Sequence, residues 1–122
     1  MLYHRDVLWN DDFDRQAKEL IVGEYTFSRH LKEHLKKDKY KKSYNVIRKK
    51  LNTIIKQLQQ TDIKPFEVEV IDNKVTKCVV RTVYNKNEDI SIVFRKGVVI
   101  TFWLNQNTDK HENLKVENYR RI

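Results

Sequence analysis

One cysteine, one proline and two glycines in 122 residues leave this chain short of the residues that staple, break or loosen a fold. With no second thiol, Cys78 cannot form an intramolecular disulfide. A disulfide scaffold is therefore excluded, and a reducing, cytoplasmic setting is expected in preference to a piece cut from a longer secreted chain. Long apolar runs are also missing. The longest, from Val98 to Leu104, already contains Thr101 and falls far short of the about 20 residues a membrane-spanning helix needs. The opening MLYHRDVLWNDDFDR has no uninterrupted apolar stretch, so neither a signal peptide nor a membrane partner is expected.

What is present argues for one globular domain over residues 1–122. Hydrophobic residues make up 39% of the chain and aromatics 11%, enough to anchor one core but not two. The net charge of +8 is unevenly placed. Between Arg29 and Lys56 eleven Lys and Arg face only Glu33 and Asp38, so nine units of net charge fall within 28 residues. Such a cluster is the electrostatic footprint of a protein that meets a polyanion, most often nucleic acid, although a solvated helix face carries similar charge.

The hydrophobic periodicity divides the chain. Asn10 suits a helix N-cap, and Phe13, Ala17, Leu20 and Ile21 recur at helical spacing, predicting a helix over 11–22 within a helical extension, 1–26. Basic helices are expected in 27–60. Ser28 would cap the first, 29–37, and Tyr44, Ile47, Leu51, Ile54 and Leu58 form the apolar stripe of the second. After Pro65 the period drops to two, with FEVEVI, TKCVVRTVY, ISIVFR and VVITFWLN separated by short polar turns. The expectation is an α+β fold in which the N-terminal helices cover one face of a four-stranded antiparallel meander, 66–105, followed by a polar tail, 106–122. In that tail Leu114, Val116 and Tyr119 could pin the chain to the sheet edge.

Parity predicts the two faces. Cys78, Val80, Ile90, Ile92, Phe94, Val98, Ile100, Phe102 and Leu104 form the face against the helices. A three-residue turn, Arg95-Lys96-Gly97, would bring Phe94 opposite Val98. The second face collects Lys77, Val79, Arg81, Ser91, Val93, Arg95, Val99, Thr101 and Trp103, and its mixed character leaves it open to solvent or ligand.

Two chemistries can be drawn from these residues. His30 and His34 lie four apart, and H-L-K-E-H matches the H-x-x-E-H zinc pattern, but no third ligand can be placed beside them, so no metal or other cofactor is expected. Without metal, an imidazole can remove the 2′-hydroxyl proton of RNA and another can protonate the leaving oxygen, while a fixed cation steadies the phosphorane. His30 and His34 would supply the imidazoles and Arg81 the cation, with Thr101 beside it and Trp103 available to stack on a base. Lys36, Lys37, Lys49, Lys50 and Arg95 would hold the RNA backbone.

Three segments, FSRHLKEHL, VVRTVYNKNEDISIVF and VVITFWLNQNTDKHENL, follow an order that resembles the barnase/EndoU/colicin/RelE-like superfamily of metal-independent ribonucleases. The likeness spans about Phe27 to Tyr119 and rests on the order of elements. It implies catalytic groups on His30 or His34, Arg81 and Thr101 with Trp103, and contributions from His111 and Tyr119 in the tail. It also implies a toxin or a phage or mobile-element protein, with an acidic inhibitor or antitoxin as a partner. The expected function is accordingly a small endoribonuclease cleaving RNA by acid/base transesterification. The alternative is a non-catalytic nucleic-acid-binding or regulatory protein using the same basic region.

Overall fold

The computed structural model describes residues 1–5, 9–36 and 44–108, apart from the side chains of His34 and of Tyr44 to Ile47. In chain order the elements are β1 (Leu2–His4), α1 (Asp12–Ile21), β2 (Thr26–Phe27), α2 (Arg29–Leu35), α3 (Tyr44–Gln60), β3 (Glu67–Ile71), β4 (Lys74–Val83), β5 (Glu88–Arg95) and β6 (Val98–Gln106). The class is α+β, as the periodicity indicates. The antiparallel meander β3-β4-β5-β6 forms the middle of the sheet.

The sheet nevertheless has six strands, in the order β1-β3-β4-β5-β6-β2, where four were expected. Strand β1 pairs antiparallel with β3, and β2 pairs parallel with the start of β6. These additions are three and two residues long, too short for an alternating pattern to show in sequence. The 1–26 segment is therefore not simply helical. Its first strand is held by Tyr3 against Phe13, with ring centroids 5.2 Å apart, and by Arg5, whose Nε donates to the Pro65 carbonyl at 2.9 Å and whose guanidinium pairs with Asp14.

Helix α1 begins where Asn10 accepts the Asp12 N–H on its side chain at 2.9 Å and the Phe13 N–H on its carbonyl. It ends before Gly23, which takes φ +87°. Helices α1 and α3 satisfy each other's C-terminal carbonyls. Lys18 Nζ donates to the carbonyls of Leu58, at 2.6 Å, and Thr61, while Gln59 Nε2 donates to those of Ile21 and Gly23 at 2.6 and 2.8 Å. Ser28 caps α2 as the sequence indicates. Its Oγ accepts the Leu31 N–H at 3.1 Å and donates to the Ile100 carbonyl at 2.7 Å.

The core joins Phe13, Ala17 and Leu20 of α1, Leu31 and Leu35 of α2, and Leu51, Ile55 and Leu58 of α3 to Cys78, Val80, Ile90, Ile92 and Phe94 of the sheet. All three helices thus lie on one face. Two details of register differ from expectation. The β5–β6 hairpin turns in two residues, Lys96-Gly97, with Arg95 opposite Val98 and Phe94 opposite Val99. Gly97 takes φ +71° there. A bulge at Ile100 then restores the expected parity but not the expected partners: Ile92 lies opposite Phe102 and Ile90 opposite Leu104, where the expected register would place Ile100 and Phe102. Consequently Val99 is buried in the core and Val98 shares the other face with Arg95. The second difference is that the other face is closed at its centre, because Val79, Ser91 and Val93 are buried.

Burial pushes the Cys78 thiol up to about 12 from an ordinary 9.0. An acid whose pKa is raised by folding contributes stability that is complete below the unfolded value and disappears as pH climbs through the folded one. Urea midpoints should therefore fall between about pH 9 and pH 12, and Cys78→Ala should flatten that decline. A thiol reagent at pH 8 should modify the native protein only at the rate of unfolding. Loss of the Ser28 hydroxyl in Ser28→Ala should cost about 1–2 kcal/mol by urea denaturation, since both the cap and the bond to β6 disappear.

Candidate nucleic-acid interface

The expected catalytic residues divide between the two sides of the sheet. Arg81 stands opposite Ser91, which stands opposite Trp103, and in the neighbouring row Val79, Val93 and Thr101 lie side by side. Arg81, Thr101 and Trp103 therefore share the face away from the helices, as parity indicates. His30 is exposed on α2, whose Leu31 and Leu35 enter the core on the helix-covered face. His30 and Arg81 therefore sit on elements associated with opposite faces of the sheet, and neither lines the cleft described below. The side chain of His34, along with Lys37, His111, Leu114, Val116 and Tyr119, lies outside the described residues.

Arg81 is also already engaged. Its Nε donates to Asp89 Oδ2 at 3.0 Å and its terminal nitrogen to the Gln106 carbonyl at 3.2 Å, with both partners of the ion pair about four-fifths buried. Lys77 sits 3.7 Å from Glu69 in the same way. A guanidinium balanced by a carboxylate offers a phosphorane far less stabilisation than an unbalanced one. Arg95 is exposed near the hairpin and Trp103 is partly exposed. Among the described residues no group of three or more His, Cys, Asp or Glu could hold a metal ion, and Glu33 of the H-x-x-E-H segment instead accepts from Arg29 Nε at 3.1 Å.

Cations converge elsewhere, in a cleft of about 370 Å³ where β2, α2 and α3 meet. Its lining is Tyr25, Thr26, Phe27, Lys32, Arg48, Asn52 and Lys56, with no carboxylate among the described residues. Arg48, Asn52 and Lys56 are four apart on α3 and so form one stripe, spaced by about 6 Å per step along the axis. Lys32 enters from α2. The Arg48 guanidinium rests 5.8 Å from the Phe27 ring centroid, a cation–π contact that fixes its stem. Tyr25 Oη donates to Asn52 Oδ1. Burial pushes the Tyr25 phenol up, the Arg48 charge pulling less strongly the other way, so the hydroxyl stays a donor at neutral pH.

No protein-family model, curated protein or solved structure matches this chain. The reading of the site therefore rests on geometry.

Of the basic residues singled out in the sequence, Lys36 and Lys49 are exposed on α2's end and α3. Lys50 Nζ lies 4.0 Å from the Tyr84 ring centroid, directed toward the sheet. Sequence reasoning missed Tyr25 and Asn52. The stripe Arg48, Asn52, Lys56 beside the apolar Leu51 and Ile55 was the available signal, but a count of charges does not distinguish a stripe from a scatter.

The Arg81–Asp89 pair should behave as an element of the sheet. Arg81→Met should destabilise by about 1–3 kcal/mol, because it strands a partly buried carboxylate, and Asp89→Asn in that background should cost less than it does alone. A double-mutant cycle by urea denaturation measures this coupling.

Proposed function

We propose that the protein is a non-catalytic nucleic-acid-binding protein that uses the surface of α2 and α3. The observation that carries this reading is the convergence of Lys32, Arg48 and Lys56 in one cleft with no carboxylate among its described lining residues. Cations without counter-charges attract phosphates and release condensed counterions when they meet them, whereas Arg81 and Lys77 have their counter-charges beside them. Exposed Lys36 and Lys49 extend the same field. Cleavage would require an imidazole next to an activated phosphate, and the separation of His30 from Arg81 favours binding over cleavage.

The test is binding to a short RNA by fluorescence anisotropy across a salt series. The wild type should lose affinity steeply with salt, and the triple variant Lys32→Ala, Arg48→Ala, Lys56→Ala should reduce the log–log slope by about 2–3. Changing Lys77 and Arg95 to Ala should leave the slope nearly unchanged. RNA incubated with the protein and a chelator should remain full length. Appearance of 2′,3′-cyclic phosphate ends, lost on combining His30→Ala with His34→Ala, would replace this reading with an endoribonuclease.

A further inference from the structure

The cleft is more selective in its chemistry than a basic surface needs to be. Its polar groups are arranged to donate. Lys32, Arg48 and Lys56 have no acceptor atoms in their side chains, and Asn52 has one of the two lone pairs of its acceptor oxygen taken by the Tyr25 hydroxyl. The Tyr25–Asn52 bond thereby fixes which way the amide points, leaving its –NH₂ as the group offered to a ligand. An aromatic wall stands beside these donors. Tyr25 is half-buried and inclined to Phe27, with centroids 6.0 Å apart and planes at 42°.

Size completes the argument. About 370 Å³ lies near the lower end of the range for pockets that take one small organic molecule. A duplex keeps its bases stacked inside and offers such a hollow only its backbone, but an unpaired strand can turn a base out to meet an aromatic ring.

Resting on the nucleic-acid reading above, we propose that this cleft receives one nucleotide of a single-stranded polynucleotide, its phosphate against Lys32, Arg48 and Lys56 and its base against Tyr25 and the Asn52 amide. Two roles follow for residues that carry no net charge. Tyr25 is a stacking wall, and its hydroxyl is the positioning group for Asn52. Asn52 contacts the nucleotide as a donor, to a base carbonyl or a phosphate oxygen. An acidic peptide could satisfy the cations, but it would have no use for the ring and the oriented amide together, so the polynucleotide is the better fit.

The experiment uses the full chain and labelled oligonucleotides of about 12 nucleotides, oligo-dT and oligo-U, with a duplex of equal length. Wild type should prefer the single strands to the duplex by about tenfold or more. Tyr25→Leu should lower single-strand affinity by about tenfold. Tyr25→Phe, which keeps the ring and frees the amide, should lower it by about threefold. Asn52→Leu should do the same, and all three should leave duplex affinity within about twofold. Thermal melts establish that each variant is folded, and Asn52→Leu, on the half-buried flank of α3, keeps the test open if Tyr25→Leu does not fold.

Oligo-dT against oligo-U reports whether the 2′-hydroxyl contributes, and either order of preference supports the proposal provided both exceed the duplex. Equal affinity for duplex and single strand, with the salt dependence intact, would overturn the nucleotide cleft while leaving the basic surface standing. Absence of binding to every oligonucleotide at low salt would overturn both. Displacement of bound oligo-dT by poly-glutamate at equal charge concentration would replace the polynucleotide with an acidic protein partner.

Discussion

The seating of Ser28 on the bulged start of β6 decides what the rest of the molecule can do. Three carbonyls at and just before the start of that strand are engaged in series. The Gly97 carbonyl accepts the Thr26 N–H, the Val99 carbonyl accepts the Ser28 N–H, and the Ile100 carbonyl accepts the Ser28 hydroxyl, at 2.9, 2.9 and 2.7 Å. The bulge at Ile100 keeps Val99 facing the core. The same hydroxyl accepts the Leu31 N–H and so starts α2 at a fixed place on the sheet edge. Phe27, just before it, is buried and receives the Arg48 guanidinium on its ring. One serine thus couples strand register, helix entry and the position of the cleft between β2 and α3.

A one-sided core follows from the same arrangement. Each helix contributes its apolar stripe to the face that carries Cys78, Val80, Ile90, Ile92 and Phe94. Lys18 and Gln59 cap carbonyls at the C-terminal ends of the opposing helices α3 and α1, where the Gly97 N–H and the Thr61 hydroxyl also donate, to Leu20 and Gln57. The consequence for chemistry is a partition at the middle of the sheet. The odd-parity residues Val79 and Arg81 of β4 face away from the strand residues that pack against the helices. His30 and Arg81 fall on the two sides of that partition.

The sequence made the class, the helix faces and the central meander legible because each repeats a period over enough residues to be counted. Phe13, Ala17, Leu20 and Ile21 needed only the helical spacing, and Cys78 to Phe94 only alternation. The edge strands were hidden for the opposite reason: Leu2–His4 and Thr26–Phe27 complete no period. The tight turn at Lys96-Gly97 and the bulge at Ile100 together shift the pairing by two residues and so recover the parity, which is why a simpler register matched most of the face while misplacing Val98 and Val99 and the cross-strand partners. The cleft was the least legible part. It draws on residues 25, 32, 48, 52 and 56, and only tertiary packing makes neighbours of Tyr25 and Asn52. The total charge between Arg29 and Lys56 marked the segment that supplies the cleft's cations without indicating which of them converge.

The distribution of counter-charge carries the functional distinction further than the charge total does. On the sheet face away from the helices, cations and carboxylates lie closely enough to pair, as Glu69 with Lys77 and Asp89 with Arg81. Such pairs lock neighbouring strands and present little net field to an approaching ligand. Near the cleft the helices carry an excess of cations, and Glu33 of α2 already faces Arg29. The two segments therefore do different work: the strand cations hold the sheet, and the cleft cations have no carboxylate among the described lining residues. In the proposed function, the uncharged members of the cleft, Tyr25 and Asn52, would convert that attraction into selectivity, because they would reward a base as well as a phosphate. Electrostatics would then bring the polyanion to α2 and α3, and the pocket between them and β2 would determine whether it stays.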